Sequence, residues 1–174
     1  MNDIRLLKAD EIQVKVKQVT KNGCLLLLYK NARVDMSILD ETFGKENWQC
    51  DYKILGDVIY CGIGIFNKEI GNWVWKWDCG IESRADGEGN EKKGEASDAF
   101  KRAGFKIGIG RELYTSPFIW AKVPTVQDEN KKWQLVDRYA KFYVDKIEYD
   151  NNNNITILVI KDQNGQVVYR GHKE

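Results

Sequence analysis

Alternation of period two marks the clearest elements of this chain. Trp48, Cys50, Tyr52 and Ile54 alternate with Gln49, Asp51 and Lys53, which predicts a strand with one buried and one wet face. Gly56-Asp57 turns the chain. Residues 58–66 form a nearly all-apolar strand with Gly62 and Gly64 inside it. Glycines at such positions signal close backbone approach by a neighbour, or a bend. A turn at 67–71 precedes a third strand, in which Trp73, Trp75 and Trp77 share one face. The three segments predict an antiparallel meander. Upstream, Ile12, Val14, Val16 and Val19 lead through Lys21-Asn22-Gly23 into the leucine run at 24–29. That pattern predicts a hairpin.

Two stretches change to helical spacing. In 33–43, Met36, Leu39 and Phe43 recur at i, i+3 and i+7, with Asp35 or Ser37 placed to cap the start and Gly44 to stop the helix. The second stretch, 79–114, organises the rest of the chain. A polar, glycine-containing loop at 82–90 leads into a helix beginning between Asn90 and Glu95. Ala96, Ala99, Phe100, Ala103 and Ile107 form its narrow apolar stripe. Alanines on that stripe allow close approach to a sheet. Lys101, Arg102 and Lys106 lie off the stripe, and Gly108 and Gly110 suit a tight turn before Arg111.

Beyond residue 115 the pattern loosens around Pro117 and Pro124, and 133–140 is ambiguous. Strands resume at 142–149, 155–160 and 167–170, the last two joined by Asn164-Gly165, a strong hairpin signal. The expected fold class is α+β: a hairpin, a short helix and a three-stranded meander packed on one principal helix, with a C-terminal β-hairpin. No repeat or low-complexity linker divides residues 1–174, so a single domain is expected.

Composition narrows the function classes. Six Trp, eight Tyr and an apolar fraction of 43% exclude whole-chain disorder. The formal charge of +1 argues against a strongly basic coating domain but allows a local basic strip. Cys24, Cys50, Cys61 and Cys79 show no C-x-x-C spacing and His172 is the single histidine. The cysteines therefore read as small buried hydrophobes in a reducing compartment rather than zinc ligands. With no signal peptide and no long apolar run, the expectation is a soluble cytoplasmic protein without membrane association.

Catalytic constellations are scarce. A terminal His172 is a poor general base for a nucleophile triad. Gly104, Gly108 and Gly110 follow a helix and no G-K-[ST] closes them, so ATP binding is not expected. Asp86, Glu88 and Glu91 would be the carboxylates of a metal-dependent nuclease, against the plainer reading of solvated loop charge. Adjacent Lys101 and Arg102 beside a loop suit phosphate contact. The plainer reading is a solvated face, with Asp98 pairing with Arg102 four residues on. For Trp73, Trp75 and Trp77 the commoner reading is packing against the covering helix, and the alternative is a platform for stacked bases.

The order of these pieces carries a resemblance. Tyr29-Lys30, Ala32-Arg33, the run Leu39-Asp40-Glu41-Thr42-Phe43-Gly44 with Trp48, then Gly80, then residues 95–110 with Lys101-Arg102 resemble the Rad-fifty-two superfamily of single-strand annealing proteins. The resemblance is particularly to phage Sak-type annealases, and DdrA-type end-protection proteins are related. The resemblance covers residues 10–115; residues 125–174 match nothing in it, and their role is open. It implies binding and annealing of single-stranded DNA in recombination and repair, with no catalysis, no ATP and no cofactor. It also implies a homo-oligomeric ring, with a single-strand-binding protein or an exonuclease as a further class of partner. Lys101 and Arg102 match the family's backbone-contacting pair. Lys106 and Arg111 extend it, and Arg33 is the nearest match to a basic residue before the first helix. The N-terminal helix of the family is shortened here. A metal-dependent nuclease, or a structural domain that binds no DNA, is the alternative.

Overall fold

The computed structural model describes residues 3–81 and 91–172. In chain order its strands are β1 Ile12–Thr20, β2 Gly23–Lys30, β3 Trp48–Leu55, β4 Val58–Asn67, β5 Asn72–Cys79, β6 Ile119–Ala121, β7 Thr125–Gln127, β8 Trp133–Leu135, β9 Phe142–Tyr149, β10 Ile155–Asp162 and β11 Val167–His172. Helix α1 spans Ala32–Phe43 and α2 spans Glu91–Ile107. The class is mixed α+β with antiparallel sheets. The strands fall into three sheets, so the N-terminal hairpin belongs to a different sheet from the meander. Two units share the chain: Asn31–Gly110 with the first residues of the chain, and Leu6–Lys30 with the residues from Arg111 onward.

The first unit is the meander β3-β4-β5 with its two helices. Alternation on β4 turns Cys61 and Ile63 toward α2, where both are fully buried with Ala99, Phe100 and Ala103. Burying one such aliphatic side chain is worth about 2 kcal/mol. The alanine stripe lets α2 lie close, and Gly80 shows how close. A Cβ there would collide with the carbonyl oxygen of Glu95. Glu95 itself is buried, and its Oε1 accepts from the Ile59 backbone N–H at 2.8 Å. One carboxylate therefore ties the first turns of α2 to the start of β4. Beyond its end, the N–H groups of Gly108 and Ile109 both reach the Gly104 carbonyl, and Gly108 and Gly110 take positive φ. The tight turn expected there is present.

Helix α1 is capped by Asn31, whose Oδ1 accepts from Val34 N at 3.0 Å. Neither Asp35 nor Ser37 is the cap, because the helix starts earlier than the apolar spacing suggests; Asp35 is instead fully buried. The buried face is Ile38 and Leu39, and Met36 is exposed. Trp48 packs on Phe100 with ring centroids 6.2 Å apart and donates its indole N–H to Asp40 at 2.7 Å. The remainder of β3 is exposed on both faces, because it is an edge strand that extends past the helices.

The second unit is a six-stranded antiparallel sheet in the order β11-β10-β9-β1-β2-β6. Its edge strands β6 and β11 approach each other, so the sheet is nearly closed. Leu26, Ile119, Leu158 and Ile160 fill its core. The Glu112 carboxylate is buried and accepts from Leu7 N at 2.7 Å. That charge adds to burial in pushing the nearby Tyr149 phenol up. The C-terminal segment is a three-stranded meander, not an isolated hairpin, and β9 pairs with β1. Strands β6, β7 and β8 lie in the irregular region, where three residues each are too few for a periodic signal.

Candidate nucleic-acid interface

Two faces of the meander carry the candidate chemistry. Pairing places Trp48, Cys50 and Tyr52 on one face with Cys61, Ile63, Lys76 and Asp78, and α2 packs there. Along the flank of α2, Lys101 Nζ lies 3.5 Å from Asp98 Oδ1. Arg102 Nη2 lies 3.5 Å from Asp78 Oδ1, and Lys106 Nζ lies 3.7 Å from Asp78 Oδ2. Lys106 also donates to the Trp77 carbonyl at 2.7 Å. The expected Asp98–Arg102 pair is thus replaced: Asp98 turns to Lys101 and also accepts from Ile81 N at 3.1 Å. The guanidinium finds its carboxylate across on β5, a partner invisible to helix spacing. Its Nε is buried with no partner among the described residues.

Lys101, Arg102 and Lys106 therefore share one helix, and Asp78 draws the last two together. Asp78 is the less exposed partner in both of its pairs, and ion pairs near the surface are each worth about 0–1 kcal/mol. Arg33 stands exposed in the first turn of α1. Arg111 opens the 3-10 turn Arg111–Thr115, which belongs to the second unit. Asp86 and Glu88 lie outside the described residues, as does the loop expected at 82–90. Among the described residues, no three His, Cys, Asp or Glu side chains converge on a metal-sized site. No helix there is long and apolar enough to cross a membrane.

The other face is aromatic. Trp73, Trp75 and Trp77 alternate with residues turned toward α2, so they point away from the helix; packing against that helix is not their role. Each is half-buried. Gly62 lies opposite Trp77 and Gly64 opposite Trp75. A Cβ on Gly62 would sit 2.5–2.6 Å from Cε2, Cδ2 and Cζ2 of Trp77. On Gly64 it would sit 2.9–3.0 Å from the same atoms of Trp75. Near-equal distances to three ring atoms mean that each indole lies face-down on its glycine. The two rings are neighbouring tiles, 5.6 Å between centroids and inclined by 24°. Trp73 meets Phe66 edge-on at 5.4 Å, since that cross-strand position holds a ring instead of a glycine. Lys53 Nζ sits 4.3 Å from the Trp77 ring centroid.

Lys53 is not among the residues that sequence reasoning singles out, yet it has a signal. A turn at 68–71 pairs Asn67 with Asn72 and so fixes Gly62 against Trp77. The turn at 56–57 pairs Leu55 with Val58, and thereby puts Lys53 on the same face.

The cysteines divide differently from expectation. Cys24 and Cys61 are buried, and burial pushes their thiols up to about 11 and about 12. Cys79 is half-buried and Cys50 is exposed, because β3 extends past the helix.

No protein-family model, curated protein or solved structure significantly matches this chain.

Proposed function

We propose that this chain binds single-stranded DNA and promotes annealing of complementary strands without ATP, as a homo-oligomer acting in recombination or repair. The observation that carries the reading is the α2 flank. Lys101, Arg102 and Lys106 line one flank of α2, where Asp98 faces Lys101, and Asp78 faces Arg102 and Lys106. Exposed Lys76 on β5 adds to the same sheet face. A strand of phosphates displaces the carboxylates, and the guanidinium fork takes phosphate oxygens in pairs. Backbone contact leaves bases available to find a complement. The order hairpin, helix, meander, helix supports the same family reading. Arg33 and Arg111 are the further candidate contacts that the resemblance contributes. Oligomerisation would lengthen a groove that one short flank begins. Strand β3 favours it, being an open edge with Ile54 and Leu55 exposed beside unpaired backbone groups.

The test is an anisotropy titration of labelled oligo-dT at several salt concentrations, with a nucleotide-free annealing assay. The double variant Lys101→Ala/Arg102→Ala should stay folded, melting only slightly below wild type, and bind more weakly. Its log–log salt slope should be shallower by about 0.7 for each phosphate that is no longer neutralised. Unchanged affinity in a folded double variant would refute the assignment of this pair. Cleavage that appears with Mg²⁺ would favour the nuclease alternative instead.

A further inference from the structure

We infer that the outer face of β3-β4-β5 is a base-stacking site for single-stranded nucleic acid, with two bases on the indoles of Trp75 and Trp77 and an adjoining phosphate on Lys53. This rests on the single-strand-binding reading above and gives that reading a second contact, on the face opposite the α2 flank.

Three features select this occupant. The first is orientation. An indole lying face-down on a glycine offers its other face outward, and a planar guest needs a face rather than an edge. Gly62 and Gly64 hold Trp77 and Trp75 that way. The second is spacing. The two tiles are 5.6 Å apart, within the reach of consecutive bases on one flexible strand, and stacking on aromatic side chains tolerates any base sequence. The third is charge. Lys53 is exposed, lies over the Trp77 ring and pairs with no carboxylate among the described residues. A neutral sugar stacked on these rings would have no use for that ammonium, whereas a phosphate beside a stacked base draws it off the ring into an ion pair. An apolar protein surface would favour aliphatic side chains, which this face offers only at its Leu55–Val58 end.

The ligand can be varied before the protein is. The full chain is titrated with labelled oligo-dT and with an oligomer of equal length and charge that lacks bases. Stacking predicts about tenfold weaker binding of the base-free strand, and quenching of indole emission by oligo-dT alone. Trp75→Ala and Trp77→Ala, checked by thermal melting, should each weaken oligo-dT binding about tenfold and leave the base-free strand almost unaffected. Lys53→Ala should weaken both ligands and flatten the salt dependence. If an alanine variant fails to fold, the two-ligand comparison and the quenching on wild type decide.

Equal affinity for the two ligands with indole emission unchanged would overturn the stacking site. If Lys101→Ala/Arg102→Ala weakened binding in that case, the single-strand reading would stand and only the platform would fall. A wild-type chain that binds neither ligand removes both. An assembly that dissociates in Trp75→Ala while oligo-dT binding holds assigns the face to a second copy of the chain, which also overturns the proposal.

Discussion

The two faces of one three-stranded sheet are built on opposite terms. Toward α2, β4 presents Cys61 and Ile63, both fully buried, and the helix meets them with alanines and Phe100. Away from α2, the same strand presents Gly62 and Gly64, and β5 lays indoles over them. The covered face gains stability by excluding water from aliphatic groups. The outer face uses its glycines to fix large rings in one orientation while leaving them partly exposed. Cations divide in parallel. Arg102 and Lys106 share Asp78 on the covered side, while Lys53 on the outer side has a ring for its neighbour. Packing on one side and presentation on the other can therefore coexist in strands of eight to ten residues, because successive side chains point opposite ways.

That contrast is sharpest in stability. Ile63→Ala should cost about 3 kcal/mol, since a fully buried side chain leaves a cavity beneath α2. Trp75→Ala removes a larger side chain yet should cost less, about 2 kcal/mol, because the ring is only partly buried. Urea denaturation of both variants checks the order; a costlier Trp75→Ala would mean that the outer face is also a core.

Gly62→Ala tests the tiling itself. The new methyl collides with the Trp77 ring, and the ring has to lift. The expected destabilisation is about 1–2 kcal/mol, with indole emission shifted to the red as the ring enters water. Emission identical to wild type would show that the ring does not rest on the glycine.

Asp78→Asn probes the other face. Removing the carboxylate frees Arg102 and Lys106 for phosphate, so affinity for oligo-dT should rise about threefold, while stability falls by less than about 1 kcal/mol. Weaker binding would make Asp78 an organiser of the cations rather than a competitor for them.

The smallest effects are read from the thiols. A disulfide reagent should modify exposed Cys50 first, Cys79 next and buried Cys61 last. Cys61 in the folded chain titrates at about 12 against an ordinary value of 9.0, raised chiefly by burial. A raised folded value means the unfolded chain releases this proton first. The thiol therefore leaves stability untouched below pH 9 and erodes it progressively from pH 9 toward 12. Denaturation midpoints across that range should fall, and Cys61→Ala should flatten the fall.

Much of this arrangement is legible in residue order. Alternation marks β3 and β5, and an apolar run marks β4; Ala99, Phe100 and Ala103 mark the buried stripe of α2; Asn164-Gly165 marks the hairpin that closes at Gly165 with positive φ. Alternation says which residues share a face but not which face a helix will cover, and for that reason the sequence favours a core role for tryptophans that lie outside the core. Glu95 illustrates a second limit. Its polar type places it outside the stripe, yet the Ile59 N–H makes its burial acceptable. The Asp78 pairs depend on how α2 docks across the sheet, which no local spacing encodes. The sheet of the second unit joins residues more than 100 positions apart, as Gln13 and Tyr143 do, beyond the reach of any pattern within one segment.

The paired tiles also form an optical element. Trp75 and Trp77 hold their ring centroids 5.6 Å apart with the ring planes inclined by 24°. Transition dipoles on rings so close exchange excitation, and a chiral pair of them gives circular dichroism a band that splits into lobes of opposite sign. The sign reports the handedness of the pair and the amplitude its geometry. A guest that settles on the rings changes both, so the chain carries an unlabelled reporter of its own surface, erased by replacing either indole.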